Sequence, residues 1–187
     1  MNDGKISVRY AKALLSSASD QGKLDQVRND MEAVLQILRE VPELKHLLHS
    51  PVIEPSKKEA ILVEVFKGKV DSLTLSFFRM IVKNKREEFL PSMARMYLEF
   101  FKEEKGIKSV TVTTAVPIDQ EIRSSLVKLI EDAYRAIIEL GENVDKKLIG
   151  GFILKIEDVQ LDASVAGQLK RIKQELLSTP LVKTDKK

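Results

Sequence analysis

A chain of 187 residues, 43% apolar, holds enough hydrophobic mass for one packed domain or two small ones and excludes global disorder. With no cysteine it excludes disulfides, thiolate metal sites and thiol nucleophiles, and it fits a reducing compartment. Its 31 basic and 28 acidic side chains are interspersed and aromatics make up only 5%, the pattern of a solvated helical surface and not of a nucleic-acid footprint.

The N-terminal MNDGKISVRYAKALL lacks the apolar core of a secretion signal, and no run approaches the roughly 18 apolar residues of a membrane span. A soluble chain without direct membrane insertion is expected. Residues 6–21 read as a helix with two apolar stripes, Ile6/Tyr10/Ala13/Leu14 and Val8/Ala11/Leu15/Ala18. Gly22 stops it. A second helix over 23–41 carries Val27, Met31, Val34, Leu38 and Val41 on one face. Pro42 ends it and opens a short third helix over 43–49. Ser50-Pro51 and Glu54-Pro55 bracket a loop.

Pro55 suits the first turn of a fourth helix to Lys67, with Ile61, Leu62, Val65 and Phe66 inward. A fifth helix over 70–83 is apolar around most of its circumference. Val70, Leu73, Phe77, Met80 and Ile81 form one face, and Leu75, Phe78 and Val82 extend it. A sixth runs from Glu87 to Glu104 with Phe89, Met93, Met96 and Phe100 inward. Short connections between such helices favour an antiparallel bundle.

The period changes at Gly106. Val110, Val112, Thr114 and Val116 alternate with polar residues, which predicts a half-buried strand. A helix over 118–134 puts Ile122, Leu126, Leu129, Ile130 and Ala133 on one face. Ala136–Leu140 reads as a strand or as the end of that helix; periodicity does not separate them. Phe152–Ile156 is a strand that follows Gly150-Gly151 and precedes the turn Glu157-Asp158. A last helix begins near Asp162, which can cap it, with Val165, Leu169, Ile172 and Leu176 inward. The expected organisation is a helical bundle over 1–105, a small α/β domain over 106–180 and a flexible tail over 181–187.

Nothing along the chain assembles an active site. His46 and His49, spaced i, i+3, are the only histidines and have too few companions for a closed metal site. Gly150-Gly151 lies in neither a P-loop nor a dinucleotide fingerprint. The serine pairs at 16–17 and 124–125 lack a nucleophile elbow. The carboxylate pairs, such as Glu103-Glu104, read as solvated helix ends. This absence of convergent chemistry points to a binding or scaffolding protein.

Leu148-Ile149-Gly150-Gly151-Phe152, then Lys155, then Asp162-x-Ser164, resembles the C-terminal signature of the delta subunit of bacterial F-type ATP synthases. That is the family of the mitochondrial oligomycin-sensitivity-conferring protein. Val8-x-Tyr10-Ala11-Lys12-Ala13-Leu14 is similar to the family's opening helix. Pro42-Glu43-Leu44 with Leu48-x-Ser50-Pro51 is similar to its third-helix region, and Asn84-Lys85-Arg86 to the turn before the sixth helix. Glu157 departs from the pattern, since many members place glycine there.

The resemblance implies a six-helix N-terminal bundle, a small C-terminal α/β part, and a stator role without catalytic residues or cofactor. It implies that the protein caps the catalytic head by gripping the N-terminal segments of the alpha subunits, and that its C-terminal part meets the b subunits of the peripheral stalk. It further implies a monomer within a hetero-oligomeric complex, peripheral on the cytoplasmic side of the cell inner membrane. Two apolar stripes on helix one and the near-continuous apolar surface of helix five mark a groove for the alpha segment. Its expected residues are Val8, Tyr10, Ala11, Ala13, Leu14, Leu15, Leu75, Phe78 and Val82. The alternatives left open are that these two helices are the bundle's buried central pair, and that the chain is a helical adaptor with no link to the synthase.

Overall fold

The computed structural model describes residues 3–178. Its contacts group into two compact units, one ending at Lys105 and the other starting at Gly106.

Unit 1 is helical. Its elements are α1 (Asp3–Asp20), α2 (Leu24–Glu40), α3 (Pro42–His49), α4 (Pro55–Phe66), α5 (Ser72–Lys83), a 3₁₀ turn at Glu87–Phe89 and α6 (Leu90–Lys105). Pro42 and Pro55 each open a helix, where the missing N–H costs nothing. Asp71 caps α5 by accepting from the Leu73 amide at 2.8 Å, so this helix starts later than the apolar pattern from Val70 suggests. α1 packs chiefly on α6 and α4 on α5, while α2 lies against α6. Tyr97, Phe66, Phe78, Met31, Leu48, Leu62 and Met93 fill the core, each with almost no exposure.

Three helices of unit 1, α4, α5 and α6, present faces that differ from those expected. α6 buries Leu90, Met93, Ala94, Tyr97 and Phe101, not Phe89, Met96 and Phe100. The 3₁₀ turn advances the chain by three residues per turn, which shifts the phase of the helix that follows. In the α4–α5 pair Ile61 and Met80 stay exposed. Thr74 is buried within α5, its hydroxyl donating to Asp30 at 2.6 Å.

Unit 2 is α/β. It comprises β1 (Ile107–Thr114), α7 (Gln120–Tyr134), β2 (Ile137–Val144), β3 (Phe152–Ile156), β4 (Val159–Asp162) and α8 (Val165–Ser178). The sheet order is β2-β1-β3-β4. β1 and β2 are parallel, joined by the α7 crossover; β3 runs antiparallel to β1, and β4 to β3. Val110, Val112, Ile138, Leu140, Leu154 and Ile156 form the core with Ile130 of α7, flanked by Ile118, Leu126 and Val127.

Strand β4 is an addition to the expected pattern. It makes a tight hairpin with β3 through Glu157-Asp158, pairing Ile156 with Val159. α8 therefore begins at Val165, and Asp162 ends a strand instead of capping the helix. Ile122, Leu129 and Ala133 of α7 and Val165, Leu169 and Ile172 of α8 are exposed, against the inward facing expected of them; Val116, past the end of β1, is exposed too. The side chain of Leu176 and the expected tail at 181–187 lie outside what the structure describes.

Candidate docking surfaces

The signature stretch is a latch between the start of β3 and the start of α8. Gly151 has φ +75, and a Cβ there would fall on the carbonyl oxygen of Ala163, so only glycine fits. The approach allows the Ala163 amide to donate to Phe152 O and the Val165 amide to Gly150 O, each at 3.0 Å. Asp162 Oδ1 accepts from the Ser164 amide at 2.9 Å and the Ser164 hydroxyl at 2.6 Å. Ser164, buried, accepts in turn from the Gly167 amide at 2.9 Å and so is the cap of α8. The Ser164 hydroxyl, joined by its amide, holds the Asp162 carboxyl below the usual carboxylate range. Gly167 completes the set: a Cβ there would lie 2.6 Å from Asp162 Oδ2. Sequence reading passed over Gly167, although a glycine inside a helical pattern is the available signal. Leu148 is buried and Lys155 exposed on the sheet. Glu157 carries φ +52, which explains why glycine suits this turn, and Lys108 pairs with it at 2.8 Å.

Of the expected groove residues, Ala11, Leu14, Phe78 and Val82 are core. Val8, Tyr10, Leu15 and Leu75 are half-buried, and Ala13 is exposed. α1 and α5 are not main packing partners of one another; each lies against α2 and the 3₁₀ turn. The inward face of α1 is Ser7, Ala11, Leu14 and Ala18, which takes Leu14 from one of the two stripes read from the sequence and Ala11 and Ala18 from the other.

Polar ties fix unit 1 internally. Asp30 of α2 accepts from the Asp71 amide at 2.8 Å and the Thr74 hydroxyl at 2.6 Å, which locks the start of α5. Lys23 pairs with Asp71 at 2.8 Å; with the Leu73 amide it keeps that carboxyl below its ordinary value. Lys58 and Glu87, both buried, pair at 2.6 Å, and Lys58 also donates to Leu48 O at 2.9 Å, joining α3, α4 and the 3₁₀ turn. His49 Nδ1 lies 2.8 Å from Lys45 O, and among the described residues no three His, Cys, Asp or Glu side chains could hold a metal ion.

The exposed apolar residues concentrate in unit 2. Val165, Leu169 and Ile172, at i, i+4 and i+7, form a stripe on α8 that is 39–55% exposed. Phe152, Val159 and Leu161 leave the β3–β4 side of the sheet uncovered. No helix among the described residues is long and apolar enough to cross a membrane. Packed cores in both units and open apolar faces on unit 2 are the features of a docking protein.

Residues 6–176 match the family described as the ATP synthase delta (OSCP) subunit. The chain is 35% identical over 173 residues to the ATP synthase subunit delta of Cytophaga hutchinsonii, covering 92% of this chain and 94% of that one. It is 36% identical over 182 residues to that of Gloeobacter violaceus, covering 94% and 98%. A chain of the Toxoplasma gondii mitochondrial ATP synthase hexamer shares the fold, with TM-score 0.71 at 23% identity over 92% of this chain and 98% of that one. The chain belongs to the ATP synthase delta (OSCP) family and is a structural, non-catalytic peripheral-stalk subunit of an F-type ATP synthase. The unrelated-adaptor alternative is thereby set aside.

Proposed function

We propose that unit 1 grips the N-terminal segments of the alpha subunits and that unit 2 docks on the b subunits, each unit acting as one domain. The exposed stripe Val165/Leu169/Ile172 carries this reading, because an amphipathic helix with an open apolar face is a docking element. On unit 1, Val8, Tyr10, Leu15 and Leu75 offer partly exposed apolar area with Ala13 beside them, while Ala11, Leu14, Phe78 and Val82 support them from within. The chain then sits peripherally on the cytoplasmic side of the cell inner membrane, held by its partners. Its work is mechanical: torque from the central shaft would carry the head round unless the head is tied to the membrane sector.

Capture of alpha and b subunits by immobilised full-length chain tests this. The wild type is expected to retain both, and the Leu169→Asp/Ile172→Asp variant to retain alpha and lose b. Failure of the wild type to hold either partner would overturn the reading.

A further inference from the structure

A cavity of about 340 Å³ opens in unit 1 between the end of α3, the loop that follows it, the start of α4 and the 3₁₀ turn. Leu48, Pro51, Ile53 and Pro55 give it an apolar wall. Two charged side chains line it from within, Lys58 and Glu87, only 5% and 6% exposed. Two more, Lys85 and Glu88, stand exposed at its rim beside His49, whose Nδ1 is held by Lys45 O.

The buried pair does not satisfy itself. Lys58 Nζ donates to Glu87 Oε1 at 2.6 Å and to Leu48 O at 2.9 Å, which uses two of its three protons. Glu87 Oε2 is buried and has no hydrogen-bond partner among the described residues. Pro51 and Pro55 have no N–H to offer it. A buried acceptor left without a donor is costly, so a ligand that supplies one gains more here than at an open surface. The pair has one spare acceptor and one spare proton for such a ligand. The charges on the lining decide its sign. Lys58 and Lys85 balance Glu87 and Glu88, an anion would meet Glu87, and a cation would meet Lys58. A neutral group that both donates and accepts is what remains. A carboxamide does this on neighbouring atoms, and an apolar body attached to it covers the Leu48, Pro51, Ile53 and Pro55 wall.

We infer that this cavity binds a small neutral carboxamide with an apolar body, its N–H donating to Glu87 Oε2 and its C=O accepting from Lys58 Nζ. The site goes beyond the docking role proposed above and does not rest on it.

The test titrates the full-length chain with cyclopentanecarboxamide and follows its backbone amides by proton–nitrogen correlation NMR. Cyclopentanecarboxylate and cyclopentylmethylammonium serve as charged counterparts of similar shape. The amide is expected to shift the Leu48, Ile53 and Glu88 resonances saturably, with the millimolar affinity of a fragment. The two charged counterparts are expected to bind at least about tenfold more weakly, since each meets a buried like charge. Lys58→Met with Glu87→Leu keeps the wall and removes both polar groups, and is expected to weaken amide binding by about tenfold. If that variant does not fold, the comparison of the three probes on the wild type decides alone. No saturable shift at these residues would overturn the site and leave a cavity that holds only solvent. Equal binding of all three probes, or equal binding of the amide by the folded double variant, would overturn the assignment to Lys58 and Glu87.

Discussion

Ala11 and Ala13 are two residues apart, yet they sit on different sides of the same helix. Ala11 has no exposure and Ala13 is exposed. Ala11→Glu buries an unpaired carboxylate and is expected to destabilise unit 1 by several kcal/mol, seen as a fall in the thermal midpoint. Ala13→Glu is expected to leave that midpoint nearly unchanged and to weaken binding of an alpha N-terminal peptide by about 2 kcal/mol, the loss of an interface hot spot. Unchanged peptide binding by folded Ala13→Glu would exclude this side of α1 from the contact. Gly151 gives the counterpart in unit 2. Gly151→Ala both strains a positive φ and drives a methyl into Ala163 O, so unit 2 is expected to lose about 2–3 kcal/mol in denaturant unfolding.

At the scale of elements, the Lys58–Glu87 pair ties α3, α4 and the 3₁₀ turn in a buried setting, with Glu87 Oε2 lacking a partner. Lys58→Met leaves a buried carboxylate alone and is expected to cost about 3–5 kcal/mol, whereas Lys58→Met with Glu87→Leu is expected to recover most of it. A double-mutant cycle by chemical denaturation checks this. Asp71 and Asp162 both fix helix starts, and both titrate below the ordinary carboxylate value of 3.8. A depressed folded pKa contributes stability above the unfolded pKa and loses it as pH falls through the folded one. Stability is therefore expected to be flat in these two groups above about pH 5 and to decline below about pH 4, with Asp71→Asn flattening part of the acid limb.

Element existence was largely legible because amphipathic periods and prolines mark the helices. What escaped follows from physics that period alone does not carry. The phase of α6 depends on a 3₁₀ turn pinned by buried Glu87. β4 is four residues long and mostly exposed, too short for a period-2 signal. The stripes Ile122/Leu129 and Val165/Leu169/Ile172 look like core-facing surface in sequence, since apolar spacing is the same whether a face meets its own core or another chain's.

For the whole molecule, a stator needs two firm attachments and stiff interiors; both units supply packed cores, and unit 2 adds open apolar surface. The most direct test is ATP-driven proton pumping by the synthase reconstituted in vesicles with the Leu169→Asp/Ile172→Asp chain in place of the wild type. The account predicts that ATP hydrolysis by the head continues while pumping falls at least about tenfold. Pumping at the wild-type rate, with the variant present in the complex, would contradict it.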